Sequence, residues 1–347
     1  MRVQRPARFN LHPATKFLLS ALLLTVPAYG TATPAVVASI KPVELLVKAV
    51  AGDQVTVSTL VPDGASPHTY QLRPSERARL EQAAQVFWIG PDMETFLIRL
   101  LGGQDLAKRT VRLAPDDSAE TPSGDAPSGG HGHDHDNGHD DRHHDDQKHD
   151  DGHAAGHGHQ PQPEDSHGHD HDGKDPHLWV DPELGLAMAQ TIADALGGLE
   201  GVDQAQIHRN LATFRQALRA AETDIRQQLA QAHSVDLFTY HDAFGRFVEH
   251  FGLKLAGVLT PSPERTPGAR HLAEVRTRLG AASNPCLLTE PQFNRQWWLT
   301  VTEGMHIPTG TWDPLASGIA SDADGYIRFQ YSMAEAVLGC LPEHAQK

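Results

Sequence analysis

The chain has 347 residues, room for roughly two domains at about 150 residues each. Lys and Arg total 29 against 44 Asp and Glu, a net charge of −15, which argues against binding a phosphate backbone; 6% aromatics argues against a base-stacking platform. The unusual count is histidine, with 23 residues, thirteen of them between 131 and 171.

Residues 1–32 read as a cleavable export signal. Arg2, Arg5, Arg8 and Lys16 make a positive leading region, and Phe17–Val26 is an apolar core too short to span a bilayer. Small residues follow, at Ala28–Gly30 or Gly30–Ala32. An uncleaved anchor is the alternative. Without this segment the charge is −19. The mature chain is expected to be soluble and exported.

From there the pattern is α/β. Val36–Ile40 predicts a buried strand, and Pro42 starts a helix to about Ala51. Val55–Leu60 predicts a strand, Pro74–Ala84 a helix, Val86–Ile89 a strand, Met93–Leu101 a helix and Val111–Leu113 a strand. Strands separated by helices point to a mostly parallel sheet. Residues 114–175 break the pattern. They are rich in Gly, Pro, Ser, Asp and His and cannot bury enough surface to offset chain entropy, so a disordered insertion is expected. Helices are then predicted over Pro182–Leu199 and, unusually long, Ala205–Ala232. A second α/β lobe follows, with strands at Asp236–Tyr240, Leu255–Leu259, Leu287–Thr289 and Met305–Ile307, and helices at Ala269–Gly280 and Ser332–Leu338. The expected division is a first lobe over 33–204, a linking helix over 205–232 and a second lobe over 233–347. Ligands gather at the carboxyl ends of parallel strands, so the loops there are the place to look.

Cys286 and Cys340 are the only cysteines, 54 residues apart. In an oxidising compartment an isolated pair is most simply a disulfide, here tying the last helix to the sheet. A thiolate metal pair would need tighter spacing.

The insertion carries His131, His133, His135, His139, His143, His144, His149, His153, His157, His159, His167, His169 and His171, many as His-x-His. Eleven Asp and one Glu against Arg142 and Lys148 give it −10 of the chain's −15. Imidazoles beside carboxylates offer many weak, interchangeable sites for divalent metals. The plainer reading is a solvated spacer. Gly168, Gly173 and Lys174 match the start of a P-loop, but Asp175 stands where Ser or Thr is needed.

Ten histidines lie elsewhere. His68 sits in a loop after the Val55–Leu60 strand, His177 just after the insertion, and His241 at the end of the Asp236–Tyr240 strand. All three are expected to face the cleft between the lobes, and three imidazoles make a plausible four-coordinate zinc site. His208, His233, His250, His271 and His344 read as solvated surface, His12 as signal, and His306 as core or cleft wall.

Five segments carry a family resemblance: Pro67–Ser75 (PHTYQLRPS), His177–Pro182 (HLWVDP), His241–Gly245 (HDAFG), Thr289–Phe293 (TEPQF) and Asp313–Leu315 (DPL). The first three resemble the ligand loops of periplasmic zinc-binding proteins, the substrate-binding subunits of ABC-type zinc importers, and the last two are further matches in the same order. The likeness covers 35–343 and includes a His/Asp-rich insertion and a matching cysteine pair. It implies two (β/α)₄-like lobes joined by one rigid long helix, with the metal in the inter-lobe cleft. It implies zinc as transported cargo, a membrane permease as partner, a monomer, and no enzymatic role.

Residue by residue, the resemblance makes His68, His177 and His241 ligands. Some zinc-specific members place Glu before the first histidine, where this chain has Pro67. Manganese-type relatives use a carboxylate at the position of Asp313 and commonly Glu at that of His241, so a histidine at 241 argues for zinc. The fourth ligand is expected to be Asp313 or water, with Glu290 a weaker candidate, behind the ligands rather than among them. A manganese or broad divalent-metal binder is the alternative. A zinc hydrolase is disfavoured by the absence of His-Glu-x-x-His and of Gly-x-Ser-x-Gly. A periplasmic zinc buffer is barely separable. Because the imidazoles must be neutral, affinity is expected to fall as pH drops through about 6.

Overall fold

A computed structural model describes residues 33–115, 175–260, 267–293 and 296–341. The expected signal, the insertion's thirteen histidines, the P-loop-like match, His12 and His344 lie outside the described residues.

The first half runs β1 (Ala35–Ala38), α1 (Lys41–Ala51), β2 (Thr56–Thr59), α2 (Pro74–Gln82), β3 (Gln85–Trp88), α3 (Ile98–Leu101), α4 (Gln104–Ala107) and β4 (Thr110–Arg112). Two helices follow, α5 (Pro182–Leu196) and α6 (Gln204–Leu229). The second half runs β5 (Asp236–His241), α7 (Gly245–His250), β6 (Lys254–Thr260), α8 (Ala269–Ala281), β7 (Pro285–Thr289), α9 (Gln296–Val301), β8 (Thr309–Thr311) and α10 (Gly325–Leu338). Each half forms a four-stranded, wholly parallel sheet, in the orders β2-β1-β3-β4 and β6-β5-β7-β8. In both, the chain passes to one side of the central strand and then to the other. That leaves a crevice at the strands' carboxyl ends, the usual ligand position in such sheets.

One continuous core joins the halves. The buried faces of α1, α5, α6 and α10 pack together between the two sheets. Separate apolar clusters cover the outer faces, under α2 on the first sheet and under α8 and α9 on the second. Helix α6 is 26 residues long, roughly 39 Å at 1.5 Å per residue. It buries Ile207, Leu211, Phe214, Leu218, Ala221, Ile225 and Leu229, a three-and-four spacing that makes one apolar stripe. Asp203 caps its start, accepting from the Ala205 and Gln206 amides. The Cys286–Cys340 disulfide is present and ties β7 to the segment after α10.

Several elements differ from expectation. The strand expected at Met305–Ile307 is a loop, and β8 lies beyond it at Thr309–Thr311. Pro308 supplies no amide to a ladder, whereas the Thr-Gly-Thr that follows pairs with Leu287–Thr289. Gly310 is required there, since a Cβ would come within 2.2 Å of the Ala336 carbonyl on α10. His306 is accordingly exposed in a loop rather than in the core. The Met93–Leu101 segment is a 3₁₀ turn at Thr95–Leu97 leading into α3. Helix α10 begins seven residues before the expected Ser332, at Gly325.

Candidate metal centre

The three histidines singled out by the sequence converge. His68 lies in the loop after β2, His177 just before a 3₁₀ turn (Leu178–Val180) that leads into α5, and His241 is the last residue of β5. Pro182 opens α5, and Asp181 caps it by accepting from the Glu183 and Leu184 amides. His177 and His241 are buried and His68 is half-buried. One ring nitrogen from each lies within 4.8 Å of the others, and His68 Nε2 and His177 Nε2 are 3.3 Å apart. A tetrahedral zinc with Zn–N of about 2.0–2.1 Å has nitrogens about 3.3–3.4 Å apart.

Two of the rings are held from behind by carboxylates. Glu290, in the residue after β7, places Oε1 2.9 Å from His241 Nδ1. Asp175 places Oδ1 2.7 Å from His177 Nδ1 and also accepts from the His177 amide at 2.9 Å. A carboxylate on Nδ1 fixes the tautomer with its proton there and turns the Nε2 lone pair toward the cavity, as at histidine metal sites generally. His177 also sits edge-on to Trp179, and His241 edge-on to Phe293. Pro67, Pro314 and Leu315 complete an apolar wall. The cavity between the rings is about 10 Å³, about one water-sized sphere. That is room for a single ion among the three rings.

Burial holds His68 neutral to about pH 3, with His177 and His241 adding to the effect. Metal binding needs neutral imidazole. Were this ring to bind a metal, protons would compete for it only well below the ordinary imidazole range.

Asp313 is not brought into the cluster. Its Oδ1 accepts from the Leu315 amide at 2.9 Å and from Gln292 Nε2, and its Oδ2 accepts from the Ser317 amide at 2.7 Å. Both oxygens close the 313–317 loop, which carries Pro314 and Leu315 to the cavity wall. Glu290 also lies outside the three-residue cluster, behind His241.

Two histidines read as solvated surface are engaged. His250 bridges Asp181 and Glu222, and His271 Nε2 lies 3.0 Å from the Val258 carbonyl. Asp175 and Arg246 join the site without being marked by any of the sequence motifs. Arg246 donates to the Asp175 carbonyl, with Nη2 at 2.6 Å. An Asp two residues before a ligand histidine could have flagged Asp175, since short Asp side chains commonly bond amides two residues on. No local pattern marks Arg246, which is 71 residues away from Asp175.

Two parallel-sheet halves, with three imidazoles converging in an ion-sized cavity, define a metal-ion-binding protein of the two-lobed substrate-binding class. Residues 36–340 match the family described as ZnuA, zinc-uptake complex component A, periplasmic. The chain belongs to that family. A high-affinity zinc uptake system protein from Yersinia pestis is 34% identical over 329 residues, covering 93% of this chain and 96% of its own. The fold is similar to that of the periplasmic zinc-binding protein TroA from Treponema pallidum, with TM-score 0.63, 17% identity and coverage of 88% and 99% of the two chains. It is equally similar to FpvC from Pseudomonas aeruginosa, a structure in complex with Mn²⁺, with TM-score 0.65, 18% identity and coverage of 90% and 99%. The fold alone therefore does not choose the metal.

Proposed function

We propose that this chain captures Zn²⁺ with His68, His177 and His241 and delivers it to an ABC-type membrane permease. It works as a monomeric binding protein and not as an enzyme, exported by the signal in residues 1–32. The convergence of the three imidazoles, two of them fixed through Nδ1 by carboxylates, carries the reading. Imidazole nitrogen suits zinc, whereas manganese favours carboxylate oxygen. The nearby carboxylates of Asp175, Glu290 and Asp313 are spent on holding histidines or closing a loop. Water takes the fourth position. The thirteen histidines of 131–171 collect zinc weakly and, tethered just before His177 in sequence, raise its local concentration.

The test is calorimetric titration of protein lacking 131–171, in which one tight site remains and the weak sites are gone. His68→Ala, His177→Ala and His241→Ala each abolish it, and His271→Ala does not. Competition with Mn²⁺ leaves zinc bound. Unchanged affinity in the three alanine variants would overturn the assignment.

A further inference from the structure

The segment carrying His177 follows the first sheet in sequence, yet α7 of the second half holds it at both ends. Arg246 and His250 are four residues apart on α7, on one face of the helix. Arg246 grips Asp175, with Nη2 2.6 Å and Nε 3.2 Å from the carbonyl and Nε 3.3 Å from Oδ2. His250 Nδ1 lies 3.5 Å from Asp181 Oδ2. Between these two aspartates lie His177 and the buried Leu178, Trp179 and Val180. Asp175 Oδ2 faces Arg246 while its Oδ1 holds His177 Nδ1, so the guanidinium orients the carboxylate that orients the ring. Helix α7 begins four residues after His241, so the same short piece of backbone sets both histidines.

We infer that Arg246 and His250 are positioning residues: α7 clamps the Asp175–Asp181 segment and presets His177 against His241, leaving His68 to complete the site. The clamp spans the two halves, and neither residue touches the metal. Arg246 is the stronger point, because its fork makes a charge-assisted pair of bonds that a point charge cannot reproduce. This inference rests on the reading of His177 and His241 as zinc ligands.

The test uses the full chain, with zinc affinity measured by chelator competition for Arg246→Gln, Arg246→Lys and His250→Gln. Arg246→Gln weakens the tight site about 10- to 100-fold, as loss of a group supporting a ligand does elsewhere. Arg246→Lys recovers part of that loss, and His250→Gln shifts affinity the same way by less. In the zinc-free protein, ¹⁵N-histidine spectra show a single His177 tautomer, protonated at Nδ1, that becomes mixed in Arg246→Gln while His241 is unchanged. A loss of packing alone would not produce that selective change. Should Arg246→Gln fail to fold, Asp175→Asn removes the carboxylate that Arg246 orients and must weaken zinc similarly. Wild-type affinity and an unchanged His177 tautomer in a folded Arg246→Gln overturn the inference while leaving the zinc site standing. Tight zinc binding by His177→Ala would instead overturn the ligand reading, and the clamp with it.

Discussion

Glu290 is buried, with one oxygen on His241 and the other, Oε2, making no hydrogen bond among the described residues. A carboxylate so desolvated is held at a cost, and its negative charge is useful only when His241 carries or faces positive charge. Glu290→Gln keeps the shape and can still accept from Nδ1, but removes the charge. Zinc affinity should fall roughly 10- to 100-fold, and the zinc-induced gain in unfolding free energy should shrink by about 1.4–2.7 kcal/mol at saturating zinc. Chelator competition and melting with and without zinc measure both, and an unchanged affinity would show that His241 needs no support. The three histidines were legible in the sequence because each sits in a short local motif: His68 in the loop after β2, His177 shortly before α5 and His241 at the end of β5. Their supports were much less so. Glu290 is 49 residues from His241, and Asp175 reaches Arg246 across the fold, so no local spacing reports either pairing. Asp313 is marked by a short motif as well, Asp-Pro-Leu, but an Asp before a turn readily bonds the amides two and four residues on, and here both oxygens do so.

Helices α5, α6 and α7 meet at His250, and their meeting has a sign in pH. Asp181 at the cap of α5 and Glu222 on α6 face the ring, and Arg226 on α6 opposes them, with Nη2 3.3 Å from His250 Nε2. The hydrogen bond to Asp181 leads, outweighs burial and raises the pKa of His250 above its ordinary 6.5. A raised folded-state pKa means the folded protein binds the proton more tightly than the unfolded chain. The stabilisation is fully present below about 6.5 and is lost as pH rises through the higher folded value. The stability difference between wild type and His250→Gln, by urea unfolding of the zinc-free protein from pH 5.5 to 9, should be largest at the acid end and shrink above about 6.5. A difference that grows with pH would show that the carboxylates do not bind the imidazolium. Such an element-level contact was hidden because α7 has six residues, too few for helical periodicity to register, and His250 alone reads as surface. Helix α6, with seven buried positions at helical spacing, was legible for the same physical reason. Strand β8 was not, because Thr-Gly-Thr has no apolar run and its place depends on α10 lying against Gly310.

At the scale of the whole molecule, the alternation of strands and helices made the two parallel sheets legible, but not the single core between them. That core is shared by α1, α5, α6 and α10, so the halves are joined by packed helices as well as by the chain. The Cys286–Cys340 bridge reinforces this core from the second sheet, closing a 54-residue separation between β7 and the end of α10. On the chain-entropy account a loop of that length stabilises by about 4 kcal/mol, and measured values are usually about 2–4. Cys286 lies near the start of β7, whereas Glu290 follows its end, about 13 Å along the strand at 3.3 Å per residue. The bridge therefore acts on the fold and not on the donor atoms. The double variant Cys286→Ser, Cys340→Ser should lose about 2–4 kcal/mol in denaturant unfolding yet hold zinc within a few-fold of wild type while it remains folded. A large loss of affinity in the folded double variant would mean that strain travels along β7 to Glu290 and His241, and that the shared core does not isolate the site from the far end of the sheet.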